Sequence, residues 1–230
     1  MRPPSSIDYS QDTMLERLTV GPIAENAYVI TDGSSCLLVD PGAEAARILS
    51  FLDSRGLVPA MILATHGHLD HTAAIPELLA AWRERGIEVP LAVHADAAAY
   101  FGAEGEKTNR ELFASIHALA FFKAYWRPIP APGILLADGD FVPCASFRVI
   151  HSPGHSRGSV CLYDEPSSIL ISGDTLFRDG VGRTDCPDAD GAALRASLER
   201  LLALPPATRV FPGHGDETTI GREFRSIDAI

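Results

Sequence analysis

Apolar and polar residues alternate along this chain with two periods, one typical of β-strands and the other of α-helices. Runs of apolar or β-branched residues bounded by turn-forming residues predict strands at 14–20, 27–31, 36–39, 58–64, 91–93, 147–150, 159–162, 169–172 and 209–211. Apolar residues at helical spacing predict helices at 43–55, 73–86 and 189–204. Because each half of the chain has strands followed by helices, the pattern indicates two packed sheets with helices outside.

The stretch 102–133 fits this order of strands and helices less well. Within it, 112–126 is predicted to form one helix, with Phe122 and Trp126 on one side. We interpret the stretch as a helical insertion in a single domain that spans 1–230. Its aromatic residues either cover a functional site and shape an apolar pocket there, or pack on the core or at a dimer contact.

Composition and charge narrow the expected partners. The 230 residues are 46% hydrophobic and 21% charged, which is typical of a globular protein. The formal net charge is −11 without a local block of Lys or Arg, so neither nucleic acid nor an anionic membrane is an expected partner. The N-terminal residues lack the apolar run of a secretory signal, so we expect a cytoplasmic protein. The expected partner is a small-molecule substrate. A homodimer remains open.

Three of the eight histidines lie within six positions, in the sequence THGHLDH at 65–71. This cluster follows the predicted strand 58–64. Side chains alternate in extended backbone, so His66 and His68 share a side and can converge on one ion. Asp70 and His71 follow at once, and four ligands from six consecutive residues cannot comfortably surround one tetrahedral ion. The spacing therefore indicates a second metal.

Three further candidate ligands lie in loops that follow predicted strands. They are His155 in SPGHS, Asp174 in SGDTL and His214 in PGHG. Sites in layered α/β proteins assemble from loops at the carboxyl ends of strands. We therefore expect these residues to join the histidine cluster in one site.

The motifs THGHLDH, SPGHS, SGDTLF and PGHG, in this order, resemble those of the metallo-β-lactamase superfamily over about 24–215. The resemblance implies an α/β fold, the four-layer αββα sandwich with two mixed sheets and external helices. It also implies two metal sites. By this resemblance His66, His68 and His155 bind the first metal, Asp70, His71 and His214 bind the second, and Asp174 bridges them.

Two dications would need an anionic bridge between them. At a separation of about 3.5 Å and an effective dielectric constant of about 20, they repel by roughly 19 kcal/mol. A bridging Asp174 and a hydroxide between the metals offset much of this repulsion, and the hydroxide can attack a substrate carbonyl at neutral pH. Asp70 and Asp174 are therefore the expected catalytic residues. Zinc is the expected metal, and iron and manganese also suit these ligands.

Within the superfamily, the closest resemblance is to the hydroxyacylglutathione hydrolase group. It rests on GDTLF at 173–177, GVGRTD at 180–185 and PGHG at 212–215, and it implies thioester hydrolysis. Those enzymes continue past the last metal-binding histidine into a helical domain that binds glutathione, whereas sixteen residues follow His214 here. Glutathione recognition is therefore open. Arg183 is a candidate to pair with a substrate carboxylate, against the alternative of a solvated surface arginine.

Two other reactions remain open at this stage. Persulfide dioxygenases of the same superfamily use a single iron, for which His66, His155 and Asp174 would be the ligands. The presence of Asp70, His71 and His214 favours two metals instead. A phosphodiesterase is disfavoured by the negative charge of the chain.

Overall fold

The computed structural model describes residues 6–8, 13–32, 35–142 and 146–224, which form two mixed β-sheets and the helices that cover them. The expected domain 1–230 thus includes short stretches outside the described residues. The first sheet contains, in spatial order, β1 Ser6–Asp8, β2 Thr13–Val20, β3 Glu25–Asp32, β4 Ser35–Val39, β5 Pro59–Leu63, β6 Leu91–His94 and β7 Ile134–Leu136. Its first four strands pair antiparallel, and the pairs from β4 to β7 are parallel.

The second sheet contains β8 Arg148–His151, β9 Val160–Asp164, β10 Ile169–Gly173, β13 Arg209–Pro212 and β14 Thr218–Thr219. Its spatial order is β14-β13-β10-β9-β8, with β10 and β13 parallel and the other pairs antiparallel. A small hairpin of β11 Leu176–Phe177 and β12 Gly180–Val181 follows β10.

The helices are α1 Ala45–Asp53, α2 Leu69–Thr72, α3 Ile75–Glu84, α4 Gly102–Ser115, α5 Leu119–Tyr125, α6 Gly191–Leu202 and α7 Ile220–Glu223, with a 3₁₀ helix at Ala95–Tyr100. Asp190 begins α6 by accepting hydrogen bonds from the backbone N–H groups of Ala192 and Ala193. No helix among the described residues is both long and apolar enough to cross a membrane.

Side chains of one strand alternate between two cores, and this alternation creates the layers. In β4, Leu37 and Val39 pack between the two sheets, whereas Cys36 and Leu38 face the helices. The core outside the first sheet includes buried residues of α1, α3, α4 and α5, and the core outside the second includes those of α6. The result is an αββα sandwich, which confirms the expected fold class.

The segment 102–133 is helical, but the single helix predicted at 112–126 is wrong. Two helices, α4 and α5, are separated by residues 116–118, where His117 has a left-handed φ of 58°. The break allows the ring of Phe121 to stack on Phe113, with centroids 5.4 Å apart. The helical spacing of apolar residues does not show which aromatic rings pack together. Here that packing favours the break over a continuous helix.

Candidate metal centre

The seven candidate ligands lie in the segments that follow the carboxyl ends of four strands, two of them, Asp70 and His71, in the short helix α2. Residues 66–71 follow β5 and run into α2, and the other three loops follow β8, β10 and β13. The strands come from both sheets, so the site lies where the carboxyl ends of strands from the two sheets meet. The candidate ligands are His66, His68, Asp70, His71, His155, Asp174 and His214.

The first group is formed by His66, His68 and His155, which are all buried. One ligand atom from each residue lies within 4.8 Å of the others. Nδ1 of His68 and Nε2 of His155 are 3.0 Å apart. Two nitrogens at this separation can both lie about 2 Å from a single ion.

The second group is formed by Asp70, His71 and His214, and its ligand atoms also lie within 4.8 Å of one another. Oδ2 of Asp70 is 3.2 Å from Nε2 of His214 and 3.6 Å from Nε2 of His71. A carboxylate and two imidazoles form a donor set that zinc and iron both accept.

Asp174 lies between the two groups. Its Oδ1 is 3.3 Å from Nε2 of His71, and its Oδ2 is 3.6 Å from Nε2 of His155. Oδ2 also lies 3.8 Å from Nε2 of His214, so the carboxylate is near histidines of both groups. This placement is what a bridging ligand requires.

Several ligand atoms have no hydrogen-bond partner among the described residues although they are buried. They include Nε2 of His66, and also Nε2 of His71 and Oδ1 of Asp174, which lie 3.3 Å apart without hydrogen-bond geometry. A buried polar atom without a partner costs about 1–3 kcal/mol, so such a concentration needs compensation. Divalent cations fit these atoms because nitrogen and carboxylate lone pairs converge on the same space.

Hydrogen bonds behind the ligands fix the direction of the imidazoles. Nδ1–H of His71 donates to Oδ2 of Asp40 at 3.0 Å, and Asp40 also accepts from N–H and Oγ1–H of Thr65, each at 2.6 Å. Since Oγ1 of Thr65 donates to Asp40, it accepts from Nδ1–H of His66 at 3.1 Å. Asp40 therefore orients two ligands, one directly and one through Thr65.

Backbone carbonyls orient two further histidines. Nδ1–H of His155 donates to the carbonyl of Arg183 at 3.0 Å, and Nδ1–H of His214 donates to the carbonyl of Ile23 at 3.3 Å. A carbonyl only accepts, so each contact places the proton on Nδ1 and leaves Nε2 free for a metal. Sequence patterns carry no signal for a carbonyl at such a position, and both partners were missed.

Burial and charge set the protonation of the site. Burial holds the pKa of His66 well below its usual value and lowers that of His68 to about 3, so both rings are neutral. Burial also acts to raise the pKa of Asp174, but the neighbouring His71 outweighs it and leaves this pKa below its usual value. Burial opposes a proton on His71, yet the carboxylates of Asp174 and Asp70 raise its pKa well above the usual value. The negative charges of the site thus attract a cation.

Gly213 allows the backbone of the PGHG loop to approach the centre closely. A Cβ atom at this position would lie 2.4 Å from Oδ1 of Asp174 and 2.5 Å from Cε1 of His71. Both distances are shorter than any tolerable contact, so a residue other than glycine would displace the candidate ligands.

Arg183 borders the same cavity as the candidate ligands, but its charge is already paired. Its Nε and Nη2 donate to the two carboxylate oxygens of Asp185 at 2.6 and 2.7 Å, and its side chain is half exposed. The site residue predicted from the sequence therefore orients His155 through its carbonyl, while its guanidinium is held by Asp185.

His94 and His151 form a separate cluster with Asp96. Their rings stack with centroids 3.8 Å apart and an interplanar angle of 13°. The nitrogens that face Asp96 are already used, because Nδ1 of His94 accepts from the N–H of Asp96 and Nε2 of His151 donates to the carbonyl of Arg157. These rings are thus held by backbone hydrogen bonds.

An αββα sandwich with clustered imidazoles and carboxylates at its strand ends defines a class of metallo-hydrolases. The chain belongs to the metallo-β-lactamase superfamily, whose family model matches residues 20–214. This match confirms the superfamily that the motifs indicated.

Three similar proteins illustrate the range of relatives. The "Probable metallo-hydrolase YqgX" of Bacillus subtilis is 34% identical over 206 residues, which cover 89% of this chain and 91% of the relative. The "Hydroxyacylglutathione hydrolase GloC" of Haemophilus influenzae is 31% identical over 214 residues, which cover 92% of this chain and 95% of GloC. TTHA1623, whose crystal structure is known in a di-iron-bound form, is 39% identical in sequence and superposes with a TM-score of 0.76. The match covers 91% of this chain and 97% of the TTHA1623 chain.

Proposed function

We propose that this metallo-hydrolase is a dinuclear thioesterase of the hydroxyacylglutathione hydrolase type. The position of the Asp174 carboxylate, within 3.8 Å of histidines of both groups, is the observation that carries the dinuclear centre. Thioester hydrolysis is supported by the GVGRTD motif at 180–185 together with PGHG at 212–215, and by the similarity to GloC. The similarity at 31% identity supports the reaction class but leaves the acyl group and the thiol open.

We propose that the cofactors are two divalent metal ions, with zinc as the preferred candidate. His66, His68 and His155 would hold one ion, Asp70, His71 and His214 the other, and Asp174 would touch both. Bound divalent ions polarise a carbonyl and lower the pKa of water toward about 7. Iron suits the same ligands, and the similar TTHA1623 has been crystallised in a di-iron-bound form.

The reaction adds water across the bond between the acyl carbon and sulfur. The oxygen of water bonds to the acyl carbon, the carbon–sulfur bond breaks, and a carboxylic acid and a thiol are released. Asp70 and Asp174 both border the cavity, and the imidazoles beside them hold their pKa values below the usual range against the opposing effect of burial. Their ionised oxygens can accept a hydrogen bond from the attacking water and so orient it.

The single-iron dioxygenase is the second candidate, because its three expected ligands are present as His66, His155 and Asp174. The second group of Asp70, His71 and His214 is equally well assembled, which favours two metals and hydrolysis. Phosphodiester hydrolysis would use the same centre, so substrate tests must include it.

Metal content and substrate turnover test these possibilities together. Elemental analysis of the purified protein should give two metal equivalents per chain, and S-lactoylglutathione or another acyl thioester should be hydrolysed faster than bis-p-nitrophenyl phosphate. One equivalent of iron with oxygen uptake on glutathione persulfide would overturn the proposal in favour of the dioxygenase. Rapid cleavage of the phosphodiester with no thioester turnover would replace the thioesterase with a phosphodiesterase.

A further inference from the structure

The cavity above the candidate metal centre has two chemically different walls. Its volume is about 310 Å³, which is within the range of small-molecule sites. Five candidate ligands, His68, Asp70, His155, Asp174 and His214, form the polar wall. The apolar wall consists mainly of Leu112, Phe113, Ile116 and Phe121.

The helical insertion supplies this apolar wall. Leu112 and Phe113 come from α4, Phe121 from α5, and Ile116 from the break between them. The stacking of Phe113 on Phe121 continues to Tyr125, whose ring lies 4.5 Å from that of Phe121. The wall is therefore packed in place, and binding need not order it first.

The polar residues that line the cavity all lie outside the insertion. Arg183 carries a guanidinium, and the candidate ligands and Cys186 are the other polar lining residues. A hydroxyl group placed against Leu112, Phe113, Ile116 and Phe121 would lose its hydrogen bonds to water without replacement, at a cost of about 1–3 kcal/mol.

We propose that the insertion is the acyl-binding wall of the enzyme and selects thioesters with an apolar acyl group, aliphatic or aromatic, over those with a short hydroxyacyl group. The inference rests on the proposed thioesterase function. The thiol half then extends toward Arg183, where a carboxylate on it could replace Asp185 as the partner of the guanidinium. Each methylene buried against the wall strengthens binding about fourfold.

Binding of non-hydrolysable ketones tests the wall apart from turnover. In S-(2-oxopropyl)- and S-(2-oxoheptyl)-N-acetylcysteamine, a methylene between sulfur and carbonyl prevents hydrolysis while the acyl part stays equivalent to acetyl or hexanoyl. Calorimetry with the metal-loaded protein should show binding of the oxoheptyl compound at least about tenfold tighter, since four methylenes are added and part of them is buried. Equal affinities would overturn the proposal.

Three variants locate the effect. Phe121→Ala should reduce the oxoheptyl preference to about threefold or less, because it removes a ring from the wall. Leu119→Ala is the matched control, since Leu119 is an exposed apolar residue of the same helix outside the cavity lining, and it should preserve the preference. Ala118→Leu adds bulk within the cavity and should weaken the oxoheptyl compound while leaving the oxopropyl compound within about twofold.

These experiments distinguish an error in the acyl-binding proposal from an error in the thioesterase proposal. If the preference survives both Phe121→Ala and Ala118→Leu, the wall does not bind the acyl group, whatever the enzyme hydrolyses. If no thioester is hydrolysed but the variants change ketone binding as expected, the thioesterase proposal fails and the apolar site stands. With turnover present, hexanoyl thioesters should exceed lactoyl thioesters in kcat/KM, and the reverse order would overturn the selectivity.

Discussion

Asp40 orients two of the candidate metal ligands without being one of the seven. It is buried at the end of β4, and its two carboxylate oxygens accept three hydrogen bonds, one from His71 and two from Thr65. Its own backbone has a left-handed φ of 50°, a conformation costing about 1–3 kcal/mol in a residue other than glycine. The surrounding fold thus compensates a strained residue at the position that orients His66 and His71.

Asp40→Asn should weaken metal binding about 10- to 100-fold, as expected when the partner of a ligating histidine is lost. An amide NH₂ facing Nδ1 of His71 would favour the tautomer with its proton on Nε2, the atom needed for the metal. Competition with a chromophoric chelator would measure the affinity. Asp138→Asn, an exposed aspartate outside the centre, serves as the control. Unchanged affinity in Asp40→Asn would show that His71 does not depend on this bond.

Asp174→Ala should abolish both turnover and tight binding of the second metal. The change removes the carboxylate between the two groups and with it the charge that offsets repulsion between two cations. Elemental analysis should show about one metal per chain or fewer. Asp53→Ala removes an exposed carboxylate paired with Arg85 and should retain full metal content. Full activity of Asp174→Ala would refute the bridging assignment.

At the scale of secondary structure, the break between α4 and α5 has a specific backbone requirement. His117 adopts a left-handed φ of 58°, and the N–H of Ala118 bonds to the carbonyl of Phe113 at 2.7 Å across the turn. Glycine adopts this conformation readily, whereas a β-branched residue does so at high cost. The turn therefore tolerates few residue types even though the side chain of His117 is exposed.

His117→Val should lower the free energy of unfolding by about 1–2 kcal/mol because of this strain, whereas His117→Gly should leave it within about 1 kcal/mol. Chemical denaturation would measure both. Glu111→Val, at an exposed position of α4, provides the baseline for valine in a helix. A cost no greater than in Glu111→Val would show that the turn accommodates β-branched residues.

At the scale of the whole molecule, the candidate centre links the two halves of the sandwich. β5 belongs to the first sheet and β8, β10 and β13 to the second, and all four precede loops that carry ligands. A hydrogen bond also links the two sheets: the hydroxyl of Tyr28 in β3 donates to the carbonyl of Pro212 in β13 at 2.7 Å. Ions bound at this junction would stabilise the folded state because the unfolded chain lacks the site.

Removal of metal with a chelator should lower the melting temperature, and addition of zinc should restore it. Free metal at about 1,000 times its dissociation constant adds about 4 kcal/mol to the free energy of unfolding. Differential scanning calorimetry would record the shift, and Asp174→Ala should show a smaller one. A melting temperature insensitive to both chelator and zinc would contradict a structural contribution of the ions.

The sequence predicted the layers and the ligand clusters because both have local signatures. Alternation in β4 specifies two faces, and the THGHLDH motif places its ligands within six positions. Strands of two or three residues, such as β11 and β14, are too short for any period and were not predicted. The carbonyls of Arg183 and Ile23 and the turn at His117 depend on tertiary contacts, which a linear pattern does not encode.

The insertion lies between β6 and β7, which are parallel neighbours in the first sheet. None of the seven candidate ligands lies in 102–133. If the insertion binds the acyl group, as proposed, reaction chemistry and substrate preference depend on separate stretches of the chain. Under natural selection the two can diverge independently, and one ancestral catalyst can give rise to enzymes that act on different molecules.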